Sequence, residues 1–290
     1  MSKVAIHGHQ ITEQSIDSVR TFLERLKREH KEIYVSRILK DKNETLSFND
    51  FPEYEPRKNM ESFEFIASLG GDGTLLETIT HVGKSELPIM GVNTGRLGFL
   101  ATISKDNLNE ALDLYFQGEY DYDVRTLLQF HSDDHMFDGK NFALNEFSII
   151  RKDTSTMIVV KCYLDGEYLN TYWADGLMVA TPTGSTGYSL SCGGPIIMPH
   201  TKNFIITPVS PHNLNVRPLI ISEESKLTFK IESRNQSFLV SLDSRSESID
   251  HSRTLSVSKA DFSAKLIRIK GISFLDTLRT KLSWGFDKRN

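Results

Sequence analysis

Residues Phe63 to Ile79 read FEFIASLGGDGTLLETI: an apolar run of strand type, a glycine turn and the apolar start of a helix. A strand that ends in Gly70-Gly71-Asp72-Gly73-Thr74 and passes straight into Leu75-Leu76 sets backbone N–H groups at a helix N-terminus with no bulky side chain in the way. That arrangement cradles phosphate. Upstream, Lys3 to Ile6 and Ile33 to Leu39 read as strands, and Thr12 to His30 as a helix with Ile16, Val19, Phe22, Leu23 and Leu26 at helical spacing. Downstream, Pro88 to Val92 reads as the next strand and Asp106 to Phe116 as a helix, placed as the hinge between two halves. Lys40 to Ser62, with Pro52, Pro56 and many charges, reads as a loop or mobile flap. The alternation predicts βαβ units on a mostly parallel sheet.

The style changes near Tyr120. Phe142 to Ile150, Met157 to Leu164, Glu167 to Tyr172, Gly176 to Thr181, Phe204 to Val209, Ser225 to Ile231, Phe238 to Leu242, Thr254 to Lys259 and Ala264 to Lys270 are β-branched, aromatic or alternating runs divided by turn residues. Asp165-Gly166 fits a two-residue hairpin loop. The second half is therefore predicted to be largely β.

A chain of 290 residues, at about 150 per domain, fits two domains. With 34 basic against 38 acidic side chains, a net charge of −4 and a pI near 6.2, no global field draws it onto nucleic acid or anionic lipid. Any anion must be held locally. Two cysteines, Cys162 and Cys192, cannot build a disulfide framework or a four-cysteine zinc site, and the start MSKVAIHGH has no apolar signal core, so a reducing cytoplasm is expected. The longest stretch without charged side chains, Gly176 to Thr201, is interrupted by five Gly and three Pro and is no membrane span.

Twelve of the eighteen glycines fall in two windows, Gly70 to Gly98 and Gly176 to Gly194, and chemistry is sought there. In the first window, the alternative to a phosphate cradle is that Asp72 or Thr74 caps the helix, with Glu77 closing a capping box. Three glycines around one carboxylate exceed what a cap needs, which favours a functional Asp72. Gly91 to Leu100 again permits close backbone approach, and Arg96 can pair with phosphate. His81-Val82-Gly83-Lys84-Ser85 is not a P-loop, because Thr78 stands where the first glycine belongs, and no Gly-x-Gly-x-x-Gly occurs. His7, His9, and the His131 and His135 pair with Asp133 and Asp134 read as solvated turn residues rather than metal ligands. In the second window seven hydroxyl side chains from Thr181 to Ser191, Thr183 among them, surround Gly184 and Gly187. Uncharged donors beside open backbone suit a nucleotide. No Gly-x-Ser-x-Gly is present, so none of these serines reads as a hydrolase nucleophile.

These residues resemble the NAD kinase family, which phosphorylates the adenosine ribose 2′-hydroxyl of NAD. The resemblance runs through Gly70 to Thr74, Asn93 to Leu100, Asn145-Glu146, Asp175 to Gly194, Pro208 to Asn213 and Leu278 to Gly285, in order. The glycine-Asp-glycine turn is shared with lipid kinases and phosphofructokinases; the second window distinguishes them. The resemblance implies an α/β N-terminal domain over residues 1–120, joined by a returning helix 274–290, and a β-rich dinucleotide-binding and oligomerisation domain over 121–273, with a dinucleotide cleft between them. It implies Asp72 as proton acceptor beside Gly73, and Asn145 and Glu146 as dinucleotide contacts. Asp175 resembles a residue that reaches the nicotinamide half from a neighbouring subunit, and a homo-oligomer, a tetramer, is expected. Thr183, with Thr186, Gly187, Tyr188, Ser189, Leu190 and Ser191, resembles the adenosine-side loop; Ser210 and Arg245 fall at more variable contact positions. Three departures bear on NAD against NADH and on phosphate contacts: Gly187 where many members have Ala, Trp173 where many have Arg, and Glu77 where the residue is often basic.

Phosphoryl transfer through a loose transition state asks for alignment and charge neutralisation first and a proton acceptor late. ATP and NAD are the expected substrates, and a divalent ion, Mg²⁺ arriving with the triphosphate, is expected to offset phosphate charge because few cations are committed near the glycines. The competing readings are a dinucleotide sensor that moves no phosphate, and a lipid or sugar kinase built on the same turn.

Overall fold

The structure, a computed structural model, describes residues 1–43, 46, 48–95, 98–132, 136–152, 157–232, 237–250, 252–271 and 273–283. Arg96, Asp133, Asp134, His135 and the chain from Trp284 on, with Gly285, lie outside the described residues. Two compact units divide the chain: Met1–Val124 with Ala264–Asn290, and Arg125–Ser263.

In the first unit β1 (Lys3–Gly8) leads into α1 (Ile16–Arg28), whose Val19, Phe22, Leu23 and Leu26 are buried as their spacing predicts. The next apolar run does not continue as one strand to Leu39. It stops at β2 (Glu32–Val35), because the Ser36 hydroxyl accepts the Leu39 amide at 3.3 Å and caps α2 (Arg37–Asp41). Then follow β3 (Phe63–Leu69), α3 (Asp72–Val82), β4 (Ile89–Asn93), β5 (Ile103–Ser104) and α4 (Leu108–Phe116). The strands lie parallel in the order β2-β1-β3-β4, with β5 parallel beside β4. The segment read as a loop or mobile flap is a packed loop among its described residues: Phe48, Tyr54 and Met60 are buried, and Val35 exchanges backbone hydrogen bonds with Pro52 and Tyr54. Its charges are solvated while its aromatic and apolar residues cover β2.

The chain leaves the first unit inside β6 (Tyr120–His131), not at the helix expected to be the hinge. The second unit is two facing antiparallel sheets. One contains β8 (Glu146–Arg151), β11 (Gly176–Ala180), β12 (Asn203–Val209), β13 (Leu219–Ser222), β15 (Ser237–Leu242) and β16 (Arg245–Asp250), ordered β13-β12-β11-β8-β15-β16. The other joins β9 (Ile158–Leu164), β10 (Glu167–Ala174), β14 (Leu227–Glu232) and the first half of β17 (Thr254–Ile269). The short β7 (Phe142–Ala143) pairs with β6. Between the sheets Phe130, Phe147 and Phe229 stack face to face within a core that also holds Val160, Cys162, Phe204 and Phe238. Asp165 and Gly166 both take positive φ, as the hairpin between β9 and β10 requires. The two runs Thr254 to Lys259 and Ala264 to Lys270 are one continuous strand, β17, whose second half belongs to the first unit and meets β4 at Leu266. The chain then forms α6 (Phe274–Leu282), capped by Ser273. The fold is an α/β domain with a mostly parallel sheet plus a β-rich domain.

Candidate functional site

The N-terminus of α3 carries the first glycine turn. No atom lies within 4 Å of where a side chain on Gly71 or Gly73 would begin, so the first amides of the helix are open to a ligand. Gly70 is required for another reason, since a β-carbon there would strike the Thr74 side chain. Asp72 does not cap this helix, and neither does Thr74: Gly71 is the N-cap and no side chain bonds there. The Asp72 carboxylate instead reaches the backbone after Gly98, where Oδ2 accepts Phe99 N–H at 2.7 Å and Oδ1 accepts Leu100 and Ala101 N–H at 3.0 and 3.1 Å. Gly98 makes this approach possible, because any β-carbon would overlap the carboxylate. Glu77 closes no capping box either. Its Oε2 lies 2.6 Å from His9 Nε2 and 3.7 Å from His7 Nε2. His7 above all, with His9, pulls the Glu77 carboxyl down to about 2 against the opposing effect of burial. His7 is no solvated turn residue: it is wholly buried in β1.

In the second unit Asn145 and Glu146 stand where β8 begins, against the hydroxyl-rich loop. Gly184 has no room for a β-carbon because the Asn145 carbonyl occupies that space, and a β-carbon on Gly187 would touch Glu146 Oε2 at 3.4 Å. The loop is a 3₁₀ turn, Thr183–Thr186, followed by the single turn α5 (Tyr188–Ser191). Such short helices satisfy few of their own backbone groups, and hydroxyls supply some of the missing bonds: Gly184 N–H donates to Thr181 Oγ1 at 3.2 Å and Ser185 Oγ donates to Pro182 O at 2.6 Å. Thr181 Oγ1 donates to Leu144 O at 2.5 Å, Ser185 Oγ accepts Ile197 N–H at 3.1 Å, and Ser189 Oγ meets Thr207 Oγ1 at 2.9 Å, all buried. Thr183 Oγ1 accepts from Arg125 at 3.0 Å. Of the seven hydroxyls, those of Thr181, Thr183, Ser185 and Ser189 thus make hydrogen bonds within the protein. Ser189 and Thr183 face inward, whereas Tyr188 and Ser191 are exposed and Thr186, Gly187 and Leu190 partly so.

Asp243, in the tight turn between β15 and β16, was not a candidate from sequence. Its side chain is 4% exposed and accepts the amides of Leu144, Asn145 and Glu146 at 3.0, 2.7 and 3.2 Å. Burial, and secondarily the Asp243 charge, push the Glu146 carboxyl up to about 8, and its buried Oε2 has no hydrogen-bond partner. Arg245 is held from within: it donates to the carbonyls of Lys140 and Phe142 at 2.5 Å each and lies over the Phe137 and Phe142 rings. Asp175, between β10 and β11, pairs with Arg151 at 3.1 Å. Ser210, just past β12, is exposed at positive φ. The only sequence sign of the Asp243 clamp is an Asp at a turn between two alternating runs, where its short side chain tolerates left-handed backbone.

Residues 4–120 match the ATP-NAD kinase N-terminal domain and residues 144–269 the ATP-NAD kinase C-terminal domain. The NAD kinase of Cytophaga hutchinsonii is 46% identical over 289 residues, 99% of each chain, and that of Flavobacterium johnsoniae is 47% identical over 245 residues, 84% of this chain and 83% of its own. Among solved structures, the Archaeoglobus fulgidus NAD kinase in complex with ATP superposes with a TM-score of 0.75 at 27% identity, covering 97% of this chain and 98% of its own. The fold is also that of yeast NADH kinase complexed with NADH, with a TM-score of 0.84 at 22% identity over 99% of this chain and 89% of that one. Since both domain models match in chain order and near-half identity holds along almost the whole length, the chain belongs to the NAD kinase family.

Proposed function

We propose that this protein transfers the γ-phosphoryl of ATP to the 2′-hydroxyl of the adenosine ribose of NAD, with Asp72 as proton acceptor. Family membership supports the reaction, and one observation supports the residue: a carboxylate held rigidly at the open N-terminus of α3. A carboxylate has about four acceptor positions, and three amides fill three of them; with two bonds at Oδ1 and one at Oδ2, the remaining position is on Oδ2. There Asp72 accepts the 2′-hydroxyl hydrogen bond, orients its oxygen and takes the proton late, as the new O–P bond acidifies that hydroxyl and ADP leaves. Rigid placement is the larger contribution, because three amides fix the carboxylate in one orientation. The open amides of α3 receive phosphate oxygens.

Asn145, Glu146, Thr186, Gly187, Tyr188, Leu190, Ser191 and Ser210 contact the dinucleotide, while Thr183, Ser189 and Arg245 hold the backbone that presents them. Glu146, kept largely protonated near neutral pH, supplies an O–H donor without adding charge beside phosphates. Neither it nor the amide-filled Asp72 is a ready ligand for a hard cation, so the donor is taken as the complex of ATP with Mg²⁺, the ion entering as part of the substrate. The protein works in the cytoplasm as a homo-oligomer, a tetramer, in which Asp175 serves a neighbouring subunit. Exposed Trp173, Leu214 and Ile220 on the β-rich unit support an assembly, and the thiol of Cys162, pushed up to about 12 by burial, fits a reduced structural cysteine. No helix among the described residues is long and apolar enough to cross a membrane.

Purified protein incubated with ATP, MgCl₂ and NAD is expected to form NADP⁺. NAD binding without NADP⁺ would replace the kinase reading with a sensor, and phosphorylation of a lipid or sugar in place of NAD would move it to another kinase class. NADH and polyphosphate in parallel arms define acceptor and donor.

A further inference from the structure

We propose that His7, Glu77 and His81 form a binding site for one zinc-class transition-metal ion beneath the glycine turn. His7 ends β1, while Glu77 and His81, four residues apart on α3, share one helix face turned toward it. One ligand atom from each of the three lies within 4.8 Å of the others, and His7 Nε2 stands 3.7 Å from Glu77 Oε2. Two ligands of a tetrahedral ion bonded at about 2.1 Å stand about 3.4 Å apart, so the His7–Glu77 pair is nearly in place and the other two pairs need to close by no more than about 1.4 Å. His7 is 0% exposed, yet its Nε2 has no hydrogen-bond partner. A buried imidazole nitrogen that stands 3.7 Å from a carboxylate oxygen without a hydrogen-bond partner, beside a second imidazole, suits a metal ligand.

The surroundings add a second, independent sign. Metal-bound histidines usually have their other ring nitrogen fixed by a hydrogen bond, which sets the tautomer. Here His7 Nδ1 meets Ser36 Oγ at 2.9 Å and His81 Nδ1 meets Tyr54 OH at 2.8 Å, both contacts buried. With Nδ1 donating to the hydroxyl, the neutral ring's lone pair lies on Nε2, the atom that would ligate. The two imidazole rings lie 4.2 Å apart. His9 Nε2 lies 2.6 Å from the same Glu77 oxygen and is half-exposed. Two imidazoles and one carboxylate select zinc, cobalt or nickel over Mg²⁺ or Ca²⁺, which require oxygen. An ion here ties β1 to α3, the helix whose first turn presents Asp72. The site does not rest on the kinase reading, because its test uses no nucleotide.

Tag-free protein stripped with chelator and titrated with Co²⁺ is expected to bind one equivalent per chain with the visible bands of four-coordinate nitrogen–oxygen ligation, displaced by one equivalent of Zn²⁺. His81→Gln should abolish the bands. Tyr54→Phe, which removes only the hydroxyl behind His81, should weaken affinity by about 10- to 100-fold while leaving the circular dichroism spectrum intact, and it carries the test if His81→Gln fails to fold. The absence of saturable binding overturns the proposal. So does a thiolate charge-transfer band, which would put the ion on cysteine, and so does equal affinity in the parent and the folded variants.

Discussion

Asp72 and Asp243 make the same contact in different surroundings. Each accepts three successive backbone amides: Phe99 to Ala101 in the first unit, Leu144 to Glu146 in the second. Three charge-assisted bonds fix a loop more tightly than one cap does. The difference lies in what remains outside. Asp243 is sealed and can only anchor; Asp72 is partly exposed beside glycines that leave α3 open. Asp72 is thus first a loop anchor, and in the proposed reaction it can use only the one acceptor position that the anchor leaves.

The comparison is sharpened most by Asp72→Asn. A cap would tolerate Asn, but this site would not: the Asn Nδ2 would face the Phe99 N–H, donor against donor, costing about 1–3 kcal/mol of stability. If Asp72 also accepts the proton, kcat for the folded variant falls by at least about a hundredfold. A kcat near the parent value, in a variant shown by denaturant titration to be folded, would reduce Asp72 to an anchor like its counterpart.

Asp243→Asn should lose stability to a similar extent, about 1–3 kcal/mol by denaturant midpoint, for the same donor clash. Its kinetic effect should differ, raising KM for NAD as Asn145 and Glu146 loosen while leaving kcat within a few-fold. A hundredfold loss of kcat with unchanged KM would break the division between anchor and acceptor.

A smaller effect separates Glu146 from its neighbour by pH. Its carboxyl is raised from 4.5 to about 8 in the folded protein, so between those values the native state keeps a proton that the unfolded chain gives up. Stability contributed by the neutral form is present at low pH and falls as pH rises through that window. Glu146→Gln keeps the shape without the titration. Thermal melting from pH 5 to 8 should show the parent losing ground against Glu146→Gln, and parallel curves would mean that Glu146 is ionised throughout.

Runs that bury both faces made much of this legible: Phe63 to Leu69 and Ile89 to Val92 are nearly all apolar, so the parallel sheet followed. The strand Tyr120–His131 escaped because acidic and basic residues interrupt its first half. Ser36 turned one apolar run into a strand and a helix, an outcome decided by a single hydroxyl. Of the site, the glycines and Asp72 announced themselves through local spacing. The partners did not: Asp72 reaches residues 27 to 29 positions away and Asp243 residues 97 to 99 positions away, and no local period encodes such pairings. For the same reason the sequence could suggest seven hydroxyls but not which face inward, since Thr207, the partner of Ser189, lies on another strand.

The smallest expected effect tests the second unit without disturbing its anchor. Tyr188 is 46% exposed, and its hydroxyl is raised by partial burial first and by Cys192 next, so it is a neutral phenol at any working pH. A ring in that position can lie against a nucleoside base, and such stacking contributes about 1–3 kcal/mol where a base is well covered. Half exposure places Tyr188 at the low end, about 1 kcal/mol, or roughly fivefold in affinity. Tyr188→Ala should therefore raise KM for NAD about fivefold, leave KM for ATP and the unfolding midpoint unchanged, and leave kcat close to the parent value, because uniform binding is lost and nothing specific to the transition state. Tyr188→Phe divides the result: if the ring is the contact, Phe restores KM, and if the hydroxyl is, Phe behaves as Ala does. An equal rise in KM for both substrates would remove Tyr188 from the proposed dinucleotide contacts.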